Sequence, residues 1–254
     1  MPGVAFAVAA LLVLGCNAPS ERTALERAAS SHDEPRFEFV DRPDAASLME
    51  CLAAAETLVV TVDAERNAMA VRREGDSDPV VIWTAAASFV DASLLTSDRG
   101  WIRVGRDLVG PMRSEVETAV GASLAGYVFA ERLAPSPGSV ARSALAFAGD
   151  VVETRTSSGS TIVTVEVDRN VGVLEGMDEG SIPSLSFTIV DGRIATIGAR
   201  LASGGEDSVG FVWEYEQRLG VAAVEPPLVA TDVADIGATI GTGNRGEIEC
   251  TLGL

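Results

Sequence analysis

Lysine is absent from this chain: all nineteen of its basic residues are arginine. A Schiff-base amine and the phosphate-gripping lysine of a P-loop are therefore both excluded. Histidine occurs once, at His32 beside Asp33 and Glu34, in a polar stretch that offers a catalytic base no rigid scaffold. Without a histidine in a folded domain, neither a Ser-His-Asp site nor a histidine-bearing zinc site can be assembled, and no G-x-S-x-G or C-x-x-C motif is present. Basic charge is also scarce, with 19 Arg against 37 Asp and Glu and a net charge of -18, which repels nucleic-acid phosphates and anionic lipid surfaces. Aromatics make up only 5% of the residues, so the core is built from Val, Ile, Leu and Ala. These absences point to a protein with no enzyme activity, no cofactor, no metal and no nucleic-acid partner; a mechanism using carboxylates alone is the one catalytic route they leave open.

What is present begins with an uninterrupted apolar run, Val4 to Leu14. It has the length of a signal-peptide core and is too short to cross a bilayer as a helix of about 20 residues. The run ends in Val13-Leu14-Gly15-Cys16, which resembles a bacterial lipobox. The resemblance implies cleavage before Cys16 and a diacylglycerol on its sulfur, a palmitate-type anchor on the extracytoplasmic face of the cell membrane. Each buried methylene of such an anchor contributes about 0.8 kcal/mol. The expected organisation is a signal peptide over 1–15, a polar tether over 16–34 and a single exported domain over 35–254.

Setting Cys16 aside leaves Cys51 and Cys250, and an oxidising compartment makes a disulfide between them the economical expectation. A loop of that length would stabilise the fold by roughly 4 to 5 kcal/mol in the chain-entropy model. Two buried free thiols are the alternative. Cys51 shares a helical face with Leu48, Leu52 and Ala55 in a helix expected near 44–56, with Asp44 placed to cap it.

The exported domain reads mainly as half-buried strands. Val163, Val165 and Val167 alternate with Thr164 and Glu166, and Val209, Phe211, Trp213 and Tyr215 oppose Glu214 and Glu216. Similar segments lie near 36–40, 58–63, 68–73, 80–84, 88–92, 101–105, 184–190 and 194–201. Asp191-Gly192 between two apolar runs marks a sharp hairpin. Helices are expected near 113–126, where Val116, Ala119, Val120 and Leu124 share a face, and near 139–149. The resulting fold class is α+β: a large curved antiparallel sheet, a half-barrel, with helices across one face.

Gly241 to Gly246, "GTGNRG", matches G-x-G-x-x-G but opens no helix and has no acidic residue twenty positions on, so it reads as a loop. The acidic neighbours Asp76 with Asp78, Asp178 with Glu179 and Glu206 with Asp207 sit among Gly, Ser and Pro as solvated turns do. The aromatic residues Trp83, Phe89, Trp101, Phe187, Phe211, Trp213 and Tyr215 are candidates for the wall of an apolar cavity, with simple core filling as the alternative.

The segment from Ile182 to Pro227 places a Pro-led strand, an Asp-Gly hairpin, a second strand, an aromatic strand, and then Gly220, Ala223 and Pro226 in a G-x-x-V-x-x-P spacing with Ala for Val. Together with "SFVDASLLTSDRGWIRVG" it resembles LppX/LprG-type lipoproteins, relatives of the LolA/LolB lipoprotein carriers. The resemblance implies an antiparallel half-barrel crossed by helices, a cavity for acyl chains, and a lipid or other hydrophobic ligand. A surface lipoprotein that binds a protein partner, with a filled core, is the competing expectation.

Overall fold

Two runs of alternating apolar and polar residues, one on each side of a central helical stretch, account for the architecture. The computed structural model describes residues 21–31, 34–43, 56–157, 160–167, 183–203, 206–216 and 221–240. The first run forms β1 (Arg36–Pro43), β2 (Leu58–Asp63), β3 (Ala68–Arg73), β4 (Val81–Thr84), β5 (Ala87–Asp91) and β6 (Trp101–Gly105). The second forms β7 (Ala148–Ser157), β8 (Ser160–Val167), β9 (Pro183–Val190), β10 (Arg193–Ser203) and β11 (Glu206–Glu216). Each run is an antiparallel meander, and β1 pairs with β11 along Glu38↔Glu216 to Pro43↔Phe211, which joins the two meanders into one open sheet. A two-residue β12 (Thr231–Asp232) lies parallel to β6 and brings the sheet, among the described residues, to twelve strands. The α+β architecture of a large sheet with helices on one face is the one expected, with β12 as its parallel addition. At the β9–β10 hairpin, Asp191 and Gly192 both take positive φ, 51° and 77°, the requirement of a type I′ turn.

The helices divide into two groups. α1 (Glu21–Ser30) and α5 (Pro137–Phe147) lie together over β7 to β10, while α2 (Ala92–Leu95), α3 (Pro111–Val120) and α4 (Ala122–Val128) lie toward β4 and β5. A last short helix, α6 (Val233–Ile236), follows β12. The helix expected over 113–126 is in fact α3 and α4, broken at Gly121, whose φ of 83° disfavours any residue with a Cβ.

The largest departure from expectation is α1. A polar tether was expected to reach residue 34, yet Leu25, Ala28 and Ala29 are fully buried in the core. Their spacing is i, i+3, i+4, a narrow apolar stripe made mostly of alanine methyls. Ser31, just beyond the helix, donates its hydroxyl to the Gly192 carbonyl at 3.3 Å, and Arg142 of α5 donates to the Ala29 carbonyl at 3.2 Å. Arg193 and Glu34 form an ion pair at the same place. The expected helix over 44–56 with Cys51, along with Cys16 and Cys250, falls outside the described residues, apart from Glu56.

The helix-covered face carries the main core, including Val60, Met69, Val81, Trp83, Leu185 and Phe187. The opposite face of β8 and β9 is hydroxyl-rich, with Thr164 and Ser186 in hydrogen-bond contact at 3.2 Å. Over β2 to β4 that same face is crossed by a strap, residues 221–230, on its way to β12. Val224 of the strap buries against Ala68 and Ile82, and Ala70, Phe89 and Trp101 are partly buried around them. The strap is pinned by Asp63, whose side chain is 0% exposed. The Asp63 carboxylate accepts from the Val224 N–H at 3.3 Å and from the Arg66 backbone and guanidinium at 3.2 and 3.1 Å, and Arg36 stands 3.3 Å away.

Burial pushes the Asp63 pKa up, but the hydrogen bonds from the Arg66 side chain, the Arg66 and Val224 N–H groups and the Arg36 charge outweigh it and hold the group below its ordinary 3.8. A carboxylate depressed in the folded state contributes stability that is present above its unfolded pKa and lost as pH falls through the folded one. Asp63→Asn is expected to lower stability near neutral pH by about 2 kcal/mol in urea unfolding. It should also flatten the acid limb of the pH–stability curve below about pH 4. An unchanged acid limb would show that Asp63 does not carry this linkage.

Candidate functional site

Alternation along β1 brings Phe37, Phe39 and Asp41 to the helix-covered face, and the β1–β11 register sets Tyr215 opposite Phe39. The three rings form a cluster: Phe39 and Tyr215 have centroids 5.5 Å apart, Phe37 and Phe39 6.3 Å, and Phe37 and Tyr215 6.4 Å. A carboxylate on this apolar face needs a donor, and Tyr127 of α4 supplies one, its hydroxyl donating to Asp41 Oδ2 at 2.5 Å. Tyr215 is 9% exposed, and its hydroxyl has no hydrogen-bond partner among the described residues.

Tyr127 is held in place by the end of its own helix. The carbonyls of Val128 and Ala130, left without intrahelical partners, accept from three side chains. Ser88 Oγ donates to Val128 at 2.6 Å, Trp83 Nε1 donates to Ala130 at 2.7 Å, and Arg106 donates to both at 3.2 and 3.1 Å. The Arg106 guanidinium also lies 4.6 Å over the Trp83 ring. Removal from water lowers the Arg106 pKa from its ordinary value. Burial is the main reason both phenols resist ionisation, reinforced for each by the Asp41 charge and for Tyr127 also by the hydrogen bond to Asp41 and by Tyr215. The arrangement is a buried, aromatic-walled corner with one anionic acceptor already engaged and one phenol without a hydrogen bond among the described residues.

The aromatic residues expected to line a cavity do not share one surface. Trp83, Phe187 and Tyr215 are buried on the helix-covered face, whereas Phe89 and Trp101 lie across the sheet beneath the strap. Phe211 and Trp213 are placed by backbone register alone, paired with Pro43 and Asp41 of β1. Sequence reasoning missed Asp41, Tyr127, Phe37 and Phe39. The signal was available in "RFEFVD", where strand parity puts a carboxylate in line with two phenylalanines. A separate pocket of about 360 Å³ lies on the opposite face, between Thr61, Ala70, Arg72 and Ile82 of the sheet and residues 222–225 of the strap. Among the described residues no group of three or more His, Cys, Asp or Glu is arranged to hold a metal ion.

Because the chain has only two tyrosines and both sit in this corner, their titration is directly visible. Phenolate absorbance is expected to be missing as pH passes the ordinary value of 10.0 and to appear only when alkali unfolds the protein, since a raised folded pKa gives stability that is lost as pH rises through it. Tyr127→Phe should destabilise by about 2 kcal/mol, the scale of a hydrogen bond to a charged group. Tyr215→Phe, which removes an unpartnered hydroxyl, should be neutral or stabilise by up to about 1 kcal/mol. Equal losses for the two variants in urea unfolding would contradict this assignment.

No family model matches the chain, and no curated protein matches it. Among solved structures it is similar to the Mycobacterium tuberculosis lipoprotein LppX, with a TM-score of 0.41 and 13% sequence identity, over 81% of this chain and the whole of that one.

Proposed function

We propose that this chain is an exported lipoprotein, acylated at Cys16, that holds an apolar ligand with a single polar group against the helix-covered face of its sheet. The supporting observation is the Tyr215 hydroxyl, buried without a partner beside the Asp41–Tyr127 pair and walled by Phe37 and Phe39. Leaving such a group unsatisfied costs about 1 to 3 kcal/mol, and a carbonyl or hydroxyl on an otherwise apolar ligand would recover it. The rings of Phe37 and Phe39 supply the dispersion contacts and exclude water, while Tyr215 supplies orientation, the division of labour usual in small-molecule sites. A lipid or similar hydrophobic molecule fits that chemistry. The reading is non-catalytic: Asp41 is engaged by Tyr127, and the tyrosines remain protonated across the neutral range.

The test uses the full chain expressed in a bacterium that acylates lipoproteins. Its intact mass is expected to show a diacylglyceryl group on Cys16, absent from Cys16→Ala, and organic extraction should release an apolar molecule in stoichiometric amount. Tyr215→Phe should weaken retention of that molecule about fivefold, the equivalent of roughly 1 kcal/mol, without loss of stability. A protein that stays bare after incubation with total membrane lipid would sink the ligand reading and favour a surface that binds protein.

A further inference from the structure

The pocket of about 360 Å³ under the strap is separate from the aromatic corner, and its walls carry opposite charges. Its floor is the face of the sheet away from the helices, where Ala70 and Ile82 are apolar and Arg72 is the next residue of the same parity along β3. One wall is the strap, Ala222 to Glu225. It is fixed to the floor because Val224 buries against Ile82 and its N–H is held by Asp63. The turn between β3 and β4 closes another side with Pro79.

Two charged groups in this pocket have bonding capacity to spare. A guanidinium carries five N–H donors. Arg72 uses one on the Asp76 carbonyl at 3.1 Å, and Glu38, itself bonded by the Thr61 hydroxyl, stands 3.5 Å from its other terminal nitrogen. These contacts orient the half-buried Arg72 and leave donors unused. On the strap wall, the Glu225 carboxylate has no hydrogen bond or ion pair among the described residues. A bare carboxylate is opposed here by the net charge of -18, and a bare ammonium by the Arg72 charge in the floor. A neutral zwitterion meets neither penalty and pairs both groups, and a volume at the small end of ligand sites limits it to a small molecule. We propose that this pocket binds a free α-amino acid with a branched apolar side chain. Its carboxylate accepts from Arg72, its ammonium donates to Glu225, and its side chain lies on Ile82 and Val224. The site lies across the sheet from the aromatic corner and stands whether or not that corner holds a ligand.

The test titrates the purified full chain, after exhaustive dialysis, with L-leucine and with isocaproate and isoamylamine, which each lack one of its two charges. Calorimetry and amide hydrogen exchange are the readouts. Leucine is expected to bind one to one with a Kd below about 1 mM and to slow exchange in the strap wall, residues 222–225, while each single-charge molecule binds at least about tenfold more weakly. Glu225→Gln should weaken leucine about fivefold and Arg72→Gln about tenfold. Glu225 is exposed and unpaired among the described residues, so its variant keeps the fold and carries the test if loss of Arg72 unsettles the buried Glu38. Tyr215→Phe, which alters only the aromatic corner, should leave leucine binding unchanged. No leucine binding at about 10 mM, equal binding of either single-charge molecule, or full affinity in Glu225→Gln overturns the inference. Leucine binding that Tyr215→Phe abolishes belongs to the aromatic corner and overturns it as well.

Discussion

The pairing of β1 with β11 is the constraint on which the rest of the molecule depends. Each meander is held by neighbours close in sequence, and among the described residues the strand pairing that joins them is this seam, through six paired positions from Glu38↔Glu216 to Pro43↔Phe211. It also creates the candidate site, because Tyr215 reaches Phe39 only across that ladder. Arg42 reinforces the seam on the other face, its Nε donating to Glu214 at 3.0 Å while its terminal nitrogens reach Glu74. The hydrogen bond to Glu214 is the largest influence raising the Arg42 pKa, but the group is well exposed and the pair adds little stability of its own. Ladder bonds and aromatic burial carry the join.

The two faces of the sheet are finished by different means. Helices cover one face, and the strap covers part of the other with little more than Val224 and its hydrogen bond to Asp63. An acid buried in this way is tolerable because its partners are arginines with fixed, forked donors, and among the described residues, which include no lysine or histidine, the side-chain ion pairs are of that kind. The same rule holds on the helix-covered face, where Asp41 is matched by a phenol whose helix is itself secured by Trp83, Ser88 and Arg106. Among the described residues three buried side-chain polar atoms lack a hydrogen bond, the Nε atoms of Arg36 and Arg193, whose terminal nitrogens are bonded, and the Tyr215 hydroxyl, whose side chain has no other polar atom.

Strands with unbroken alternation were legible in the sequence nearly to the residue, as β8 and β9 illustrate, and so was the Asp191-Gly192 turn. β7 was not, because Gly149 and Asp150 interrupt its pattern immediately after a helix. Nor was α1, whose apolar stripe is one leucine and two alanines in a polar setting and acquires meaning only through what it packs on. Strand parity told which side chains of one strand share a face, but not how the parities of neighbouring strands align. That alignment is a property of register, and it is why Trp83 and Phe89, on adjacent strands, end on opposite sides. The site was hidden for the same reason: Asp41 and Tyr127 lie 86 positions apart and are brought together only when α4 settles on the sheet.

The strap also fixes an order of events during synthesis. Val224 meets Asp63 across 161 positions, so the surface formed by Ala68, Ile82, Phe89 and Trp101 stays uncovered until a segment that follows both meanders has been made. A chain that stops short of Val224 can complete both meanders and their seam and still present that apolar face. An apolar face left open in this way is prone to non-specific association, and closing it is the contribution of the strap to the folded chain.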